Sequence, residues 1–279
     1  ADEVLIIIDL ELIYDPTITV LSDLQNAIIS GKQNYQSLLD SHVAIHGEMF
    51  NRMKLDLGGG DDHQKHTEEL FELSTMDDIN EALIEKEFDA ARYNIISCTG
   101  ELPPTLQGVW AGTMVPDWAS DYTHNGNVPS AIACMLMGNT PELMLAYTSY
   151  IESIVPWLEI NAKHLFGSRG VVLPSRSTTN GYNNALAGSF AGGFWVGGAA
   201  WAAHFFYDYY LYTGDETFLR EHALPFMEKC AVFFEDYLYE GADGKYVFSP
   251  TQSPENTPGN TNSQGSFNAT MDVAVAKEL

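Results

Sequence analysis

Apolar residues return every three or four positions over most of this chain, which predicts a mainly α-helical protein. Between Leu21 and Met53 the positions Leu24, Ile28, Tyr35, Leu38, Leu39, Met49 and Phe50 keep that spacing, and Gly31 is expected to divide the run into two helices. A further helix is expected over 76–97. Helix pairs follow over 128–138 with 141–165, and over 192–212 with 216–239. Thr140 precedes Pro141 as an N-cap before a first-turn proline, and Asp215 can cap the helix after the Thr213-Gly214-Asp215 turn. Small residues (Gly193, Gly197, Gly198, Ala199, Ala200, Ala202, Ala203) fill one stripe of the 192–212 helix and allow close backbone approach. The last stretch, 271–279, has amphipathic helical spacing. Only the start differs: residues 4–14, VLIIIDLELIY, read as a buried strand, the last of a preceding β domain.

Two long polar stretches, 102–127 and 167–193, interrupt the helical pattern. Helix pairs joined alternately by short turns and long loops suggest an α/α toroid with its long loops gathered at one end. A six-hairpin toroid needs roughly twice the helices expected here, so the chain would supply about half the barrel. The expected organisation is the end of an N-terminal β domain over 1–20, a helical linker and connector over 21–75, and the first part of the toroid over 76–279.

The loop 102–127, LPPTLQGVWAGTMVPDWASDYTHNGN, is broken by prolines and glycines and cannot be one helix. It offers aromatic faces at Trp110, Trp118 and Tyr122, and hydrogen-bonding groups at Gln107, Asp121, His124, Asn125 and Asn127. Such a set suits a sugar, and it equally suits a loop pinned to a core by its aromatics. In the second loop Arg176, among Thr178, Asn180, Asn183 and Asn184, can clasp hydroxyls or hold the loop.

Composition narrows the partners. With 38 acidic against 13 basic residues, a formal charge of -25, the chain repels the phosphate backbone of nucleic acids. No apolar run is long enough to span a bilayer. Cys98, Cys134 and Cys230 are widely spaced without metal-binding or redox spacing and read as buried thiols. His42 and His46 share a helix face at metal-ligand spacing but lack an accompanying acid, so no metal site is assigned. The start, Ala-Asp-Glu, has no signal-peptide pattern, and the final helical pattern stops without a cap, so the chain reads as a fragment or truncated copy.

Beyond these patterns, the order of residues carries a resemblance. The phrases LPPTLQGVW, PDWASDY and Asn125-Gly126-Asn127, and later Ser249-Pro250-Thr251-Gln252-Ser253-Pro254-Glu255-Asn256, resemble the catalytic segments of glycoside hydrolase family 95, the inverting α-L-fucosidases. Linker and hairpin phrases such as SLLDSHVAIHGEMFNRMKLDLGG extend the resemblance over nearly the whole chain. It implies an exo-acting hydrolase removing terminal α-L-fucose from glycans, an oligosaccharide or glycoconjugate as substrate, and no cofactor. It also implies an extracellular or periplasmic intact protein, with the rest of the toroid supplied by further polypeptide.

By the same resemblance Glu255 is the general acid, and Asn125 and Asn127 hold the attacking water with help from an aspartate beyond residue 279. Trp118, Thr123, His124 and Arg176 become sugar-binding candidates. The sequence departs from the family where a histidine is usual two residues before the first asparagine. Here that position is Thr123, with His124 beside it, and Ser130 to Cys134 replace a usual Met-Asn-Tyr-Trp. An α-L-galactosidase of the same fold therefore stays open, as does a non-catalytic carbohydrate-binding homologue or an inactive fragment.

Overall fold

The structure is a computed structural model that describes residues 4, 6–8, 10, 17, 19–30, 34–183 and 191–279. The strand expected over 4–14 therefore lies largely outside the described residues, as do Gly31 and Asn184. The chain divides into two compact units, 1–52 and 53–279.

In the first unit, helix α1 covers Leu21–Ser30 and α2 covers Tyr35–His42. Asn34 caps α2, its Oδ1 accepting the amide of Ser37 at 2.9 Å. The helix runs on through a π-helical turn, Val43–Gly47, into Glu48–Phe50. This places the rings of His42 and His46 in a stack with centroids 5.0 Å apart.

The second unit begins with the end of the stretch expected to be a helical linker and connector, and a helix, α3 (Thr67–Leu73), lies within it. It forms because Glu69 reaches back to accept the amide of His66 at 2.9 Å, while Leu70 buries itself against Ala82 and Leu83. Helix α4, Glu81–Cys98, starts at Asn80, whose side chain accepts from the amides of Ala82 and Leu83. The expected helix over 128–138 is two short segments, α5 (Asn127–Ile132) and α6 (Cys134–Met137). Cys134 is exposed there, unlike the buried Cys98 and Cys230, which corrects the expectation of three buried thiols.

Helix α7 spans Pro141–Asn161 with proline in its first turn as expected. Thr140 stands at the N-cap, but its hydroxyl turns back to donate to the carbonyl of Met135 at 2.9 Å and does not cap the helix. Helix α8, Gly198–Thr213, begins six residues later than its pattern suggested. Ala191–Phe194 forms a 3-10 turn, and Trp195 then drops fully into the core, edge-on to Trp201. Gly214, at φ +68°, ends α8 in the left-handed region. Asp215 caps the next turn through the amides of Thr217 and Phe218, both at 2.9 Å. That turn, Glu216–Phe218, continues through a π-helical turn into α9, Leu224–Tyr237.

The core sits where α8 packs against both α7 and α9. Gly198, Ala199, Ala200, Ala202 and Ala203 are all buried, and the room they leave is filled by rings from both sides. Tyr147 of α7 meets Phe205 edge-on at 5.7 Å, and Phe226 of α9 stacks on Phe206 at 4.8 Å. A final helix, α10 (Thr270–Glu278), joins this core through Val275, in one cluster with Phe233, Phe234, Tyr237 and Phe248.

Close approach is tightest at Gly170, which has φ +73° and would aim a Cβ at the backbone of α9, 2.5 Å from the amide nitrogen of Phe233. Gly170→Ala is therefore expected to cost about 2–3 kcal/mol in a denaturant melt, because both the backbone conformation and the space are wrong for a side chain. A melt unchanged by the substitution would contradict this packing.

Candidate active site

Two short antiparallel pairings hold the site. Strand β1, Tyr122–Thr123, pairs with β2, Arg176–Ser177, opposing Tyr122 to Ser177 and Thr123 to Arg176, so the two long loops meet. Strands β3 (Tyr239–Glu240) and β4 (Tyr246–Val247) form a hairpin that leads into the loop containing Glu255.

The strand β1, the turn after it and the first residue of α5 sort the candidates into two groups. Thr123, Asn125 and Asn127 face a cavity of about 220 Å³, which Leu106, Trp118, Arg176 and Glu255 complete. Asn125 and Glu255, 130 residues apart, meet there, with Nδ2 of the amide 3.4 Å from Oε1 of the acid. The cavity is smaller than the range of about 300–1,000 Å³ usual for drug-sized ligands, and suits a single sugar ring.

Tyr122 and His124 point the other way, so the structure does not bring His124 to the cavity. Its ring is buried, and Nε2 lies 2.7 Å from Ser177 Oγ. Tyr150 Oη lies 2.6 Å from the same Oγ and donates to the carbonyl of Thr178 at 2.7 Å. One orientation satisfies all three contacts: His124 Nε2–H donates to Ser177, and Ser177 donates to Tyr150. Burial holds the imidazole neutral, with its pKa lowered to about 3. His124 thus fastens β2 from behind the wall. Tyr122 packs on Tyr150 at 4.3 Å, and Trp110 is exposed without lining the cavity.

Arg176 is fixed on both of its functional sides. Nε donates to Asp121 Oδ2 at 2.6 Å, Nη2 donates to the carbonyl of Trp118 at 2.9 Å, and the guanidinium lies 5.0 Å from the Trp118 ring centre. Thr123 donates to the other oxygen of Asp121 at 2.8 Å. Trp118, Ala119 and Ser120 all have φ between 48° and 56°, a run of left-handed conformations that side chains resist. The Arg176 contact to Trp118 and the bond between Ser120 and Thr105 hydroxyls, 2.9 Å, hold that run and present the Trp118 face to the cavity.

The loop bearing Glu255 is rooted in buried polar contacts. Thr251 and Ser266 exchange two backbone hydrogen bonds, 3.0 and 2.8 Å, and Tyr237 donates to the carbonyl of Pro250. The Thr251 hydroxyl donates to Asp272 of α10, and Asp272 and Gln252 are both fully buried. Gln252 bonds Gln264 at 3.2 Å. Burial pushes Asp272 up to about 7; the Thr251 hydroxyl and the amides of Gln252, Gly197 and Val196 moderate the rise. Sequence patterns pointed to neither Asp121 as the clasp of Arg176 nor Asp272 as the root of the acid loop. The available signal for Asp272 was an acid placed on the apolar side of the last helical pattern.

Among the described residues no group of three or more His, Cys, Asp or Glu converges as a metal-ligand set. The cavity wall itself offers one carboxylate, Glu255.

Comparison with known proteins places these features in context. The glycosyl hydrolase family 95 catalytic domain matches residues 34–279. "Alpha-L-fucosidase 2" of Arabidopsis thaliana is 28% identical over 257 residues, which cover 89% of this chain and 30% of that protein. "Probable alpha-fucosidase A" of Aspergillus niger is 31% identical over 249 residues, covering 84% and 30%. The chain thus spans about 30% of the length of these relatives. Among solved structures, "Putative kojibiose phosphorylase from human microbiome" superposes with a TM-score of 0.56 at 12% identity, over 84% of this chain and 29% of that one. That likeness is one of fold, and with the mainly helical architecture it makes the chain part of an α/α toroid.

Proposed function

The chain belongs to glycosyl hydrolase family 95, and on that premise we propose that its cavity is the sugar site of an inverting, exo-acting α-L-fucosidase. The observation that carries this reading is the cavity wall itself. Glu255, Asn125, Asn127, Thr123, Arg176 and Trp118 share one small concavity although they come from three separate loops. The relatives named as α-fucosidases support L-fucose as the sugar.

In this reading the Glu255 carboxyl gives its proton to the glycosidic oxygen as the bond from C1 breaks. Charge develops on the sugar ring as an oxocarbenium-like state. A water held by the carboxamides of Asn125 and Asn127 attacks C1 from the face opposite the leaving group, which inverts the configuration. An amide is too weak a base to keep the proton the water loses, so it orients water and passes that proton to a carboxylate. We place that carboxylate in polypeptide beyond residue 279. Trp118 offers a flat apolar face to the sugar ring, and Thr123 and Arg176 offer hydrogen bonds to its hydroxyls.

Proton NMR of an α-L-fucosyl oligosaccharide incubated with the full-length protein tests this. The β-anomer of L-fucose is expected to appear before mutarotation produces the α-anomer. First appearance of the α-anomer would replace inversion with retention. Faster release from an α-L-galactoside would move the specificity to that sugar, and intact substrates whose signals broaden would favour a binding protein.

A further inference from the structure

We propose that Asp121 is a positioning residue that fixes the hydrogen-bonding polarity of the sugar site, so that the site reads a free sugar hydroxyl able to donate and accept at once. The inference rests on the glycosidase reading of the small cavity and adds what that cavity selects for. Asp121 does not line the cavity, yet it touches four of the seven residues that do. Its carboxylate takes Arg176 Nε on one oxygen at 2.6 Å and the Thr123 hydroxyl on the other at 2.8 Å. Its backbone amide donates to the carbonyl of Trp118 at 3.3 Å, and its carbonyl accepts the amide of Leu106 at 2.8 Å. Asp121 is buried and both of its carboxylate oxygens are taken, so it acts through its neighbours.

Those two carboxylate bonds decide what the wall offers a ligand. Thr123 has one hydroxyl proton, and Asp121 takes it. What Thr123 then presents is oxygen lone pairs alone, an acceptor. A guanidinium has five N–H bonds and no acceptor; in Arg176 one goes to Asp121 and one to the carbonyl of Trp118, so three remain for a ligand. Thr123 and Arg176 oppose one another in the register of β1 and β2 and hold the two oxygens of the same carboxylate. An acceptor and a donor thus stand side by side at one cavity wall. A hydroxyl satisfies both, giving its proton to Thr123 and taking one from Arg176. An ether, an ester or a fluorine at that carbon can only accept, and it leaves Thr123 without a partner.

An amide in place of the carboxylate inverts this polarity and keeps the shape. In Asp121→Asn the amide oxygen turns to Arg176, which can only donate, and the amide NH2 then donates to Thr123 Oγ1. The Thr123 proton is released, and Thr123 joins Arg176 as a donor to the cavity. The wild type therefore prefers a hydroxyl over a group that only accepts, and the variant loses that preference. A purely structural Asp121 has a different signature. Loosening Arg176 and Trp118 would weaken every ligand alike.

The test is a cycle of substrates against variants in the full-length protein, with 4-nitrophenyl α-L-fucoside and its 2-, 3- and 4-deoxyfluoro analogues. Fluorine keeps nearly the size of a hydroxyl and cannot donate, and its effect on intrinsic reactivity cancels when wild type and variant are compared on one substrate. Asp121→Asn is expected to lower kcat/KM for the parent fucoside by about 10–100-fold, carried by KM. At one of the three positions the fluoro analogue is expected to lose no more than roughly threefold, while the other two analogues keep the full loss. Thr123→Val removes the acceptor and leaves the pair of Asp121 with Arg176. It is expected to level the same position, and it decides the matter if Asp121→Asn fails to fold. An equal loss on all the substrates would overturn the proposal and leave Asp121 a structural group, as would an Asp121→Asn protein as active as wild type. Failure of the glycosidase reading shows separately, as intact 4-nitrophenyl α-L-fucoside with wild-type protein. Dissociation constants of L-fucose and its deoxyfluoro analogues, from NMR titration, then run the same cycle and decide the role of Asp121 alone.

Discussion

Glu255→Gln is expected to slow release of L-fucose from an oligosaccharide by about 10²–10⁴-fold, a barrier increase of roughly 3–5 kcal/mol. The side chain keeps its shape and loses the proton that a departing sugar alkoxide needs. The loss depends on the leaving group. A 2,4-dinitrophenolate departs without protonation, so the variant should hydrolyse that fucoside at close to the wild-type rate. The fold should be indifferent, because Glu255 is exposed and its carboxylate contact is the 3.4 Å approach of Asn125. Measuring kcat/KM on both substrates separates the roles. Equal losses on both would make Glu255 a structural or binding group, and no loss on either would remove it from the mechanism.

The second large effect concerns stability against pH, where two buried groups act in opposite directions. Asp272 rises from an ordinary 3.8 to about 7 on folding. The folded protein thus holds a proton that the unfolded chain releases, and the associated stability is full below pH 4 and lost as pH rises through 7. The loss amounts to roughly 4 kcal/mol. His124 falls from 6.5 to about 3. There the unfolded chain binds the proton first, so stability is full above pH 6.5 and lost as pH falls toward 3, by roughly 5 kcal/mol. Between about pH 4 and 6.5 the two contributions nearly cancel.

Asp272→Asn should expose the His124 slope. The difference between wild-type and variant unfolding free energies, from denaturant melts at fixed temperature, is expected to move by roughly 4 kcal/mol against the wild type between pH 4 and pH 8. Parallel curves across that interval would refute the burial of an ionisable Asp272.

Much of the fold could be read in advance because helices announce themselves locally. Three- and four-residue spacing marks α7, α8 and α9, and Pro141 and Asp215 mark starts where the backbone needs them. Where the prediction failed, a distant contact had overruled local preference. Trp195 sinks into the core and delays α8, and the Thr140 hydroxyl finds Met135. In the candidate site the residue types were legible but their directions were not. Thr123 and His124 look equally suited to sugar as letters; in the fold the first faces the cavity and the second turns to Ser177. Asp121 and Asp272 were hidden for another reason. Each acts on a partner 55 or 21 residues away, and no local pattern encodes such a pairing.

Arg176 is the one cation lining the small cavity, and Asp121 already answers its charge. A fucose whose neighbouring residue is sulfated, sialylated or a uronic acid would therefore find no counter-ion there, and would approach through the field of a chain with net charge -25. On the proposed reading, the charge carried by these 279 residues works against an anionic glycan at the small cavity.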